Sequence, residues 1–246
     1  MSKTDICVTN GPARCLYAFP MCRRYALPDL LTVEREFLPG TVWWKFEPHS
    51  NVAPGRYVPA IRVHDKASEG VMMRWGLIPS WAEGEHHRKP ALADTGKLER
   101  SKFFRTPWAE GRRCILPMAG FYVWELTPAN YRQPYFAYLR DRNVLGVAGV
   151  WDRSELDGDD VIESFSIITV PANELLQVPG GKPQCMPAIL RRRDYELWLH
   201  GSPAQAKSAL GSYRADWMRR HAVSPHINSA GIDHPELRAP IEAPAV

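Results

Sequence analysis

Residues 74–81 read Arg-Trp-Gly-Leu-Ile-Pro-Ser-Trp and form the most distinctive string in this chain of 246 residues. Val71–Trp81 is predicted to be a strand that leads into a proline-containing turn, since proline cannot donate to a sheet ladder. A second string, Gly-Phe-Tyr-Val-Trp at residues 120–124, follows downstream, and Phe121–Glu125 is predicted as a further strand. These two strings, in this order, decide the fold that we expect.

The rest of the chain is typical of short strands with scattered helices. Thr41–His64 alternates apolar residues with polar residues or proline, as short strands joined by turns do. Asp141-Arg142-Asn143 separates two apolar runs and predicts a hairpin. Other strands are predicted at Arg113–Leu116, Pro134–Arg140, Val144–Trp151 and Phe165–Val170. Helices are predicted at Leu98–Trp108 with Thr95 as N-cap, at Asp194–His200, and from Ser202-Pro203 to Leu210. This pattern predicts one α+β domain.

Three segments are predicted along the chain. Residues 1–20 contain turn chemistry at Asn10-Gly11-Pro12 and are predicted to be an irregular N-terminal extension. Residues 21–220 carry the strands and helices of the domain. Residues 221–246 are rich in proline and alanine without core periodicity, so an irregular C-terminal tail is predicted.

Charge and cysteine content limit the functional classes. The formal charge of +4 permits contact with phosphates without demanding it. The five cysteines form no CxxC pair, so neither a disulfide framework nor a zinc ribbon is indicated and a reducing cytosol is the natural compartment. No apolar run is long enough to span a bilayer, and charged residues interrupt the first 20 positions, which argues against a signal peptide and a membrane partner.

The two strings belong to a longer ordered set. Two further motifs precede the string at residues 74–81, namely Met21-Cys22-Arg23-Arg24 and Asn51-Val52-Ala53-Pro54. A last motif follows the string at residues 120–124, namely Met186-Pro187-Ala188-Ile189-Leu190. In this order the chain resembles the SOS-response-associated peptidase (SRAP) family of abasic-site DNA–protein crosslinking proteins, from about residue 21 to about residue 200. The resemblance implies a single SRAP-like domain with a β-rich, barrel-like core and peripheral helices, and it favours a monomer.

Cys22 is the candidate for covalent chemistry. An N-terminal cysteine carries a thiol and an α-amine on adjacent carbons, and together they can close on an aldehyde to form a thiazolidine ring; the α-amine titrates near neutrality. The resemblance implies that the family captures the ring-opened aldehyde of abasic sites in single-stranded DNA in this way, after self-cleavage frees the cysteine. While residues 1–21 precede it, the α-amine of Cys22 lies in a peptide bond.

The polar residues that the family places around its cysteine are mostly replaced. Pro90 stands at the asparagine position, Val123 at the glutamate position and Pro183 at the histidine position, so the resemblance implies impaired chemistry. Asp94 and Glu125 are the remaining candidates for proton transfer. Glu125 lies two residues beyond Val123 on the same strand face, roughly 6–7 Å along the strand.

The DNA-facing positions that the resemblance implies are better preserved. Arg24 is expected to contact a phosphate, and tryptophan faces stack on splayed bases without sequence preference. The candidate DNA-binding residues are Arg24, Pro54, Trp75, Gly76, Leu77 and Trp124. The predicted partner is single-stranded DNA, with or without abasic sites.

Three other functions stay open on the residues alone. A metal site would draw on His64, Asp65, His86, His87 and Asp94, but no HExxH or HxH spacing exists, so neither a metal nor another cofactor is expected. A Cys-His hydrolase would pair Cys22 or Cys185 with His200, His221 or His226. The third is a catalytically degenerate module that binds single-stranded DNA or a protein on the same fold.

Overall fold

The chain folds around long antiparallel strands whose central residues are buried on both faces. The computed structural model describes residues 22–82, 89–127, 130–155, 161–177 and 184–242. The described strands are β1 (Tyr25–Leu27), β2 (Thr41–Val42), β3 (His49–Val52), β4 (Tyr57–His64), β5 (Ala67–Trp75), β6 (Leu92–Asp94), β7 (Arg113–Met118), β8 (Gly120–Leu126), β9 (Arg132–Leu139), β10 (Leu145–Glu155), β11 (Val161–Pro171), β12 (Cys185–Pro187), β13 (Ile189–Leu190) and β14 (Met218–Ala222).

Helices in the described ranges are short. The α-helices are α1 (Leu30–Phe37), α2 (Arg105–Ala109), α3 (Tyr195–His200) and α4 (Pro203–Ser208), and 3₁₀ turns occur at Thr95–Lys97, Arg192–Asp194, Ala215–Trp217, Pro225–Asn228 and Pro235–Arg238. None of these helices has the length and apolar character needed to cross a membrane.

Five strands close on themselves to form the barrel. β5 pairs with β4, β4 with β7, β7 with β10, and β10 with β11, all antiparallel. β11 then pairs in parallel with β5 through Ser164↔Arg74 and Phe165↔Trp75, which completes the circuit. Trp75, Phe165 and Ile61 are at most 2% exposed and belong to the core cluster. The predicted α+β fold with a barrel-like core is therefore confirmed.

A second sheet of five strands, in the order β14-β9-β8-β1-β3, packs beside the barrel. Its side chains alternate between two faces, as strand geometry requires. Phe121, Val123 and Ala137 join the main core. Tyr122 and Phe136, on the opposite face, form a second apolar cluster.

Among the predicted hairpin and helices, two predictions are wrong and two are confirmed. The 141–143 turn makes no hairpin, because β9 pairs with β8 and β14 whereas β10 pairs with β7, β11 and β13. The predicted helix at 98–108 is reduced to α2, and Asp94 rather than Thr95 caps the preceding 3₁₀ turn. α3 and α4 confirm their predictions, the latter with a capping box between Ser202 and Gln205.

The C-terminal segment differs from the irregular tail that its composition predicts. Residues 221 and 222 complete β14, and two 3₁₀ turns follow. Val223, Ile227 and Leu237 are fully buried in the second apolar cluster. Composition missed this packing because three isolated apolar residues in a proline-rich segment have no helical or strand period. The predicted extension at 1–20 lies outside the described residues, as do residues 243–246.

Leu237→Ala should destabilise the folded chain by about 2–4 kcal/mol, because it removes a fully buried side chain from the second cluster. Urea unfolding followed by tryptophan fluorescence measures the change. Ile241→Ala is the matched control, since Ile241 is 39% exposed and its loss should cost under about 1 kcal/mol. Equal effects of the two substitutions would contradict the packing described here.

Candidate functional site

Cys22 lies immediately before β1 and is 2% exposed. Its backbone has a positive φ of 62°, an uncommon conformation for a residue with a side chain. The thiol donates a hydrogen bond to the backbone carbonyl of Cys185 on β12, with Sγ and O 3.4 Å apart. The local turn thus directs the Cys22 side chain inward, toward the end of β11 and β12, rather than to solvent.

The pairing of β1 with β8 brings the Val123 region to Cys22. Tyr25 is opposite Phe121, and the Tyr122 N–H donates to the Arg24 carbonyl at 3.0 Å. In an antiparallel pair, the residues before Tyr25 run beside those after Phe121. Val123 therefore lies on β8, the strand that pairs with β1, and it belongs to the same core cluster as Cys22. It is 3% exposed and offers no proton donor or acceptor.

Glu125 is already engaged by a cation. Its Oε2 lies 2.9 Å from Nη1 of Arg220 on β14. The Arg220 guanidinium in turn lies over the ring of Tyr135, 4.6 Å from its centroid. Glu125 shares a sheet face with Val123 as predicted, but its carboxylate is held in an ion pair rather than presented to the thiol. Its assignment as a proton-transfer residue stays a prediction.

Asp94 lies on the other side of β11 from Cys185. β6 pairs with β11 through Thr169↔Asp94, and β12 pairs with the same residue through Thr169↔Pro187. Two strand spacings therefore separate β6 from β12, roughly 10 Å. The Asp94 carboxylate accepts the Gly96 N–H at 2.8 Å and caps a 3₁₀ turn, which gives it a structural role in this arrangement.

Pro90 and Ala91 connect the turn at residues 76–82 to the barrel. The Pro90 carbonyl accepts hydrogen bonds from the Leu77 N–H at 3.0 Å and the Ser166 hydroxyl at 2.5 Å. The Ala91 carbonyl accepts from the indole N–H of Trp75 at 2.9 Å. The position that the resemblance assigns to a reactive asparagine is thus occupied by a structural peptide in this chain.

Three residues of the predicted DNA surface are buried in this structure. Trp75 and Leu77 are both 0% exposed, and Gly76, with φ 111°, is buried between them. The Trp75 ring packs on Tyr25 with a centroid separation of 5.3 Å. All three lie in the core of this structure, and their assignment to the DNA surface stays a prediction.

The other three predicted DNA-binding residues, Arg24, Pro54 and Trp124, are not fully buried. Arg24 is half-buried, and desolvation lowers the pKa of its guanidinium from the usual range. Its Nη1 donates only to the neighbouring Arg23 carbonyl among the described contacts, at 3.2 Å. Trp124 is half-buried and donates its indole N–H to the Asn228 side chain at 2.9 Å. Pro54 is exposed at the tip of a turn.

The turn at Pro54 presents further residues that sequence reasoning missed. Tyr57 is 53% exposed, and it pairs in register with Arg74 on β5. Arg56 is also exposed, and its carbonyl accepts the Trp75 N–H at 2.9 Å. An Arg-Tyr dipeptide directly after a Pro-Gly turn was the available signal, since exposed aromatic and basic side chains together favour nucleic-acid contact.

A polar network fixes the same turn from the C-terminal segment. The Asp233 carboxylate accepts the backbone N–H groups of Ser50 at 2.7 Å and Asn51 at 3.2 Å. Its Oδ1 also lies 3.0 Å from Nδ1 of His49, whose Nε2 contacts the Arg56 guanidinium. Burial, and secondarily Arg56, lower the pKa of His49 while Asp233 opposes them, so the neutral ring is favoured.

The other predicted functions gain no assembled site. His64 and Asp65 form an exposed pair at 3.7 Å, and no group of three metal-ligating side chains occurs in the part of the chain that the structure describes. His200 pairs with Glu196 at 3.4 Å, and His221 contacts the Arg238 carbonyl at 2.8 Å. Pro183, His86 and His87 lie outside the described residues.

Comparison with known families and sequences gives one consistent result. The family model described as SOS response associated peptidase (SRAP) matches residues 21–230. The abasic site processing protein YoqW of Bacillus subtilis is 31% identical over 200 residues, covering 78% of this chain and 86% of YoqW. The mouse abasic site processing protein HMCES is 28% identical over 237 residues, covering 80% of this chain and 66% of HMCES.

Solved structures show the same fold. A protein from Bacteroides thetaiotaomicron superposes with a TM-score of 0.70 at 27% identity, covering 78% of this chain and 85% of that one. A protein from Bordetella bronchiseptica superposes with a TM-score of 0.72 at 23% identity, covering 82% of this chain and all of that one, and is similar in fold.

The Cys22 thiol should react slowly with a maleimide in the folded chain, because it is buried and hydrogen-bonded. Timed labelling followed by peptide mass spectrometry measures each cysteine separately. Cys114, which is 0% exposed, is the internal control for a protected thiol, and urea should accelerate both. Labelling of Cys22 at the rate of a small-molecule thiol would contradict the burial described.

Stability should fall as the pH drops through the His49 titration. The pKa of His49 is lower in the folded than in the unfolded chain, so the unfolded state takes up its proton first. The stabilisation is complete above about pH 6.5 and is lost as the pH falls through the folded pKa. Urea midpoints at several pH values measure this, and His49→Gln should flatten the dependence. An unchanged slope in that variant would contradict the assignment.

Proposed function

Because this chain belongs to the SOS response associated peptidase family, we propose that it binds single-stranded DNA at abasic sites and captures them covalently only slowly. The relatives named above are abasic site processing proteins, which supports DNA as the partner. The observation that carries the proposal is the position of Cys22, which lies just before β1 in the same core cluster as Val123, with the half-buried Arg24 two residues on.

Capture would form one ring and release one water. The Cys22 α-amine adds to the ring-opened aldehyde, loses water to give an imine, and the thiol sulfur then closes on the same carbon to form a thiazolidine. The amine is available for this only after the peptide bond between Met21 and Cys22 is cleaved. Loss of water from the addition intermediate needs a proton donor at the departing oxygen.

The residues beside Cys22 supply that proton poorly. Val123 cannot donate one, and Glu125 is held by Arg220 at 2.9 Å. A well-placed general acid typically contributes about 10²–10⁴-fold in rate. The buried thiol must also move from the Cys185 carbonyl before it can reach an aldehyde in solution. Both features support slow capture rather than its complete loss, because the thiol and amine make the bonds themselves.

Binding of DNA needs accessible basic and aromatic side chains but no proton donor beside Cys22. Arg24 carries a cation that a phosphate can pair with, and the exposed Pro54, Arg56 and Tyr57 offer a basic and aromatic surface above Trp75. This surface favours a second candidate function, a binding module on the same fold that recognises single-stranded DNA without covalent capture. The two functions differ in whether a Cys22-dependent adduct forms.

Intact-mass spectrometry after incubation with an abasic-site oligonucleotide separates these two functions. Slow capture predicts an adduct on a chain that begins at Cys22, absent in Cys22→Ala. A chain that binds the oligonucleotide without ever gaining its mass supports the binding module instead. A chain that neither binds nor gains mass would overturn both.

Val123→Glu should accelerate capture by about 10²-fold or more, because it returns a proton donor to the strand next to Cys22. Adduct formation is followed over time on denaturing gels. Val123→Gln is the matched control, since it has nearly the same shape without a titratable group. Equal rates in the two variants, with both shown to fold by circular dichroism, would exclude this position as the missing acid.

Tyr57→Ala should weaken binding to undamaged single-stranded DNA by about 1–3 kcal/mol if its ring stacks on a base. Fluorescence anisotropy with a labelled oligonucleotide measures the affinity. Trp43→Ala is the control, because Trp43 is 71% exposed near the opposite end of β5, where its N–H donates to the Gly70 carbonyl. A larger loss with Trp43→Ala would place the DNA surface elsewhere.

A further inference from the structure

An arginine-rich surface begins where β13 ends. Arg191, Arg192 and Arg193 follow Leu190 directly and are all exposed. Across from them, Arg142 lies in the connection between β9 and β10. Nη2 of Arg142 and Nε of Arg192 approach the same Glu36 carboxylate oxygen, at 3.3 Å and 4.0 Å. One carboxylate therefore holds two arginines from distant parts of the chain side by side.

An exposed aromatic ring lies at the edge of this group. Trp217 is 43% exposed, and its carbonyl accepts the Arg140 N–H at 2.9 Å. The Arg214 guanidinium lies over the Trp217 ring, 5.1 Å from its centroid. The Tyr213 ring packs edge-on against Trp217, with the two ring centroids 5.8 Å apart. The arginine surface, as defined here, consists of Arg140, Arg142, Arg191, Arg192, Arg193, Arg214 and Trp217.

Carboxylates lie among the six arginines of this surface. Glu36, Asp141, Asp194 and Asp216 are joined by Glu174, which lines the cavity beside Arg214, so the surface has a net charge of +1. Arg191 and Arg140 form no ion pair with any described residue, so their charges are available to a ligand.

The surface and Cys22 are joined through two short strands, β12 and β13, whose residues are buried. The Cys185 carbonyl accepts the Cys22 thiol, and the chain then runs through β12 and β13 to Arg191. At about 3.3 Å per residue, this path is at most about 20 Å long. An open cavity of about 640 Å³ lies alongside, lined by Ser212, Tyr213 and Arg214 and also by the acidic residues Glu174 and Asp216. Ser212 hydrogen-bonds the carbonyl of Pro171, which pairs with Cys185.

We propose that the arginine surface binds the sugar–phosphate backbone of single-stranded DNA at a distance from the nucleotide that meets Cys22. Guanidinium groups pair with phosphates, and an exposed indole provides a face for a base, which is the combination that single-strand grooves use. The inference rests on the proposed function, because it extends the same bound DNA strand beyond the nucleotide that meets Cys22. Contact with the arginine surface adds to the affinity for DNA and leaves the chemistry at Cys22 unchanged.

The test compares two triple variants that remove the same charge. Arg191→Ala, Arg192→Ala and Arg193→Ala together remove three of the six arginines of the surface. Lys45→Ala, Lys66→Ala and Arg153→Ala remove three exposed cations outside the arginine surface. Anisotropy is measured with undamaged oligonucleotides of about 4 and about 20 nucleotides, lengths that bracket the site sizes of single-strand grooves, over a range of salt concentrations.

The surface variant should bind the long oligonucleotide about 10- to 100-fold more weakly, and the slope of log affinity against log salt should fall by about 2, one phosphate contact for each arginine. The control triple variant should change the affinity and the salt slope much less. The affinity for the short oligonucleotide should be the same in both triple variants. Replacing the three arginines by lysines keeps the charge and should retain most of the affinity, which separates charge loss from misfolding.

Failure of the inference and failure of the proposed function give different results. If the unsubstituted chain binds the long oligonucleotide and both triple variants weaken it equally or not at all, the arginine surface is not a DNA site and the site at Cys22 stands. If the unsubstituted chain binds neither oligonucleotide at any salt concentration and forms no abasic-site adduct, both are overturned.

Discussion

The parallel pairing of β5 with β11 is the constraint on which the rest of the structure depends. It closes the barrel at Arg74 and Trp75, and the chain must leave the sheet directly afterwards. The N–H groups that follow each have a specific acceptor: Gly76 donates to the Phe165 carbonyl, Leu77 to the Pro90 carbonyl, and Ile78 to the Ser164 hydroxyl. A buried backbone donor without a partner is costly, so this turn tolerates little variation. The distinctiveness of residues 74–81 follows from this closure.

The candidate site results from the same closure. With the barrel closed, Trp75 packs on Tyr25, and β1 is held between β3 and β8. Cys22 then has one direction available, toward β12. The polar positions that the resemblance assigns around this cysteine are occupied by Val123 in the core and by Pro90, whose carbonyl joins two structural hydrogen bonds. The scaffold is therefore maintained by backbone bonds and apolar packing, which do not need the reactive side chains.

The C-terminal segment has a comparable structural role on the opposite face. Asp233 bonds the backbone of β3, and Asn51 donates to the carbonyls of Ser229 and Ile232 at 2.8 Å and 2.9 Å. Because β3 leads into the turn that carries Pro54, this network fixes the exposed residues above Trp75. The accessible surface around Pro54 thus depends on residues 229–233 of the C-terminal segment.

The sequence by itself determined the fold class, most strands and the α3 and α4 helices, because strand alternation, caps and ordered motifs are local signals. It did not determine that β9 and β10 belong to different sheets, since an Asp-Arg-Asn turn between two apolar runs suits a hairpin or a crossing equally well. Only the tertiary structure decided that Trp75 and Leu77 are buried, that Glu125 is held by Arg220, and that Arg142 meets Arg192 at Glu36. These outcomes depend on contacts between residues far apart in the chain, and no local pattern encodes which distant partner a side chain meets.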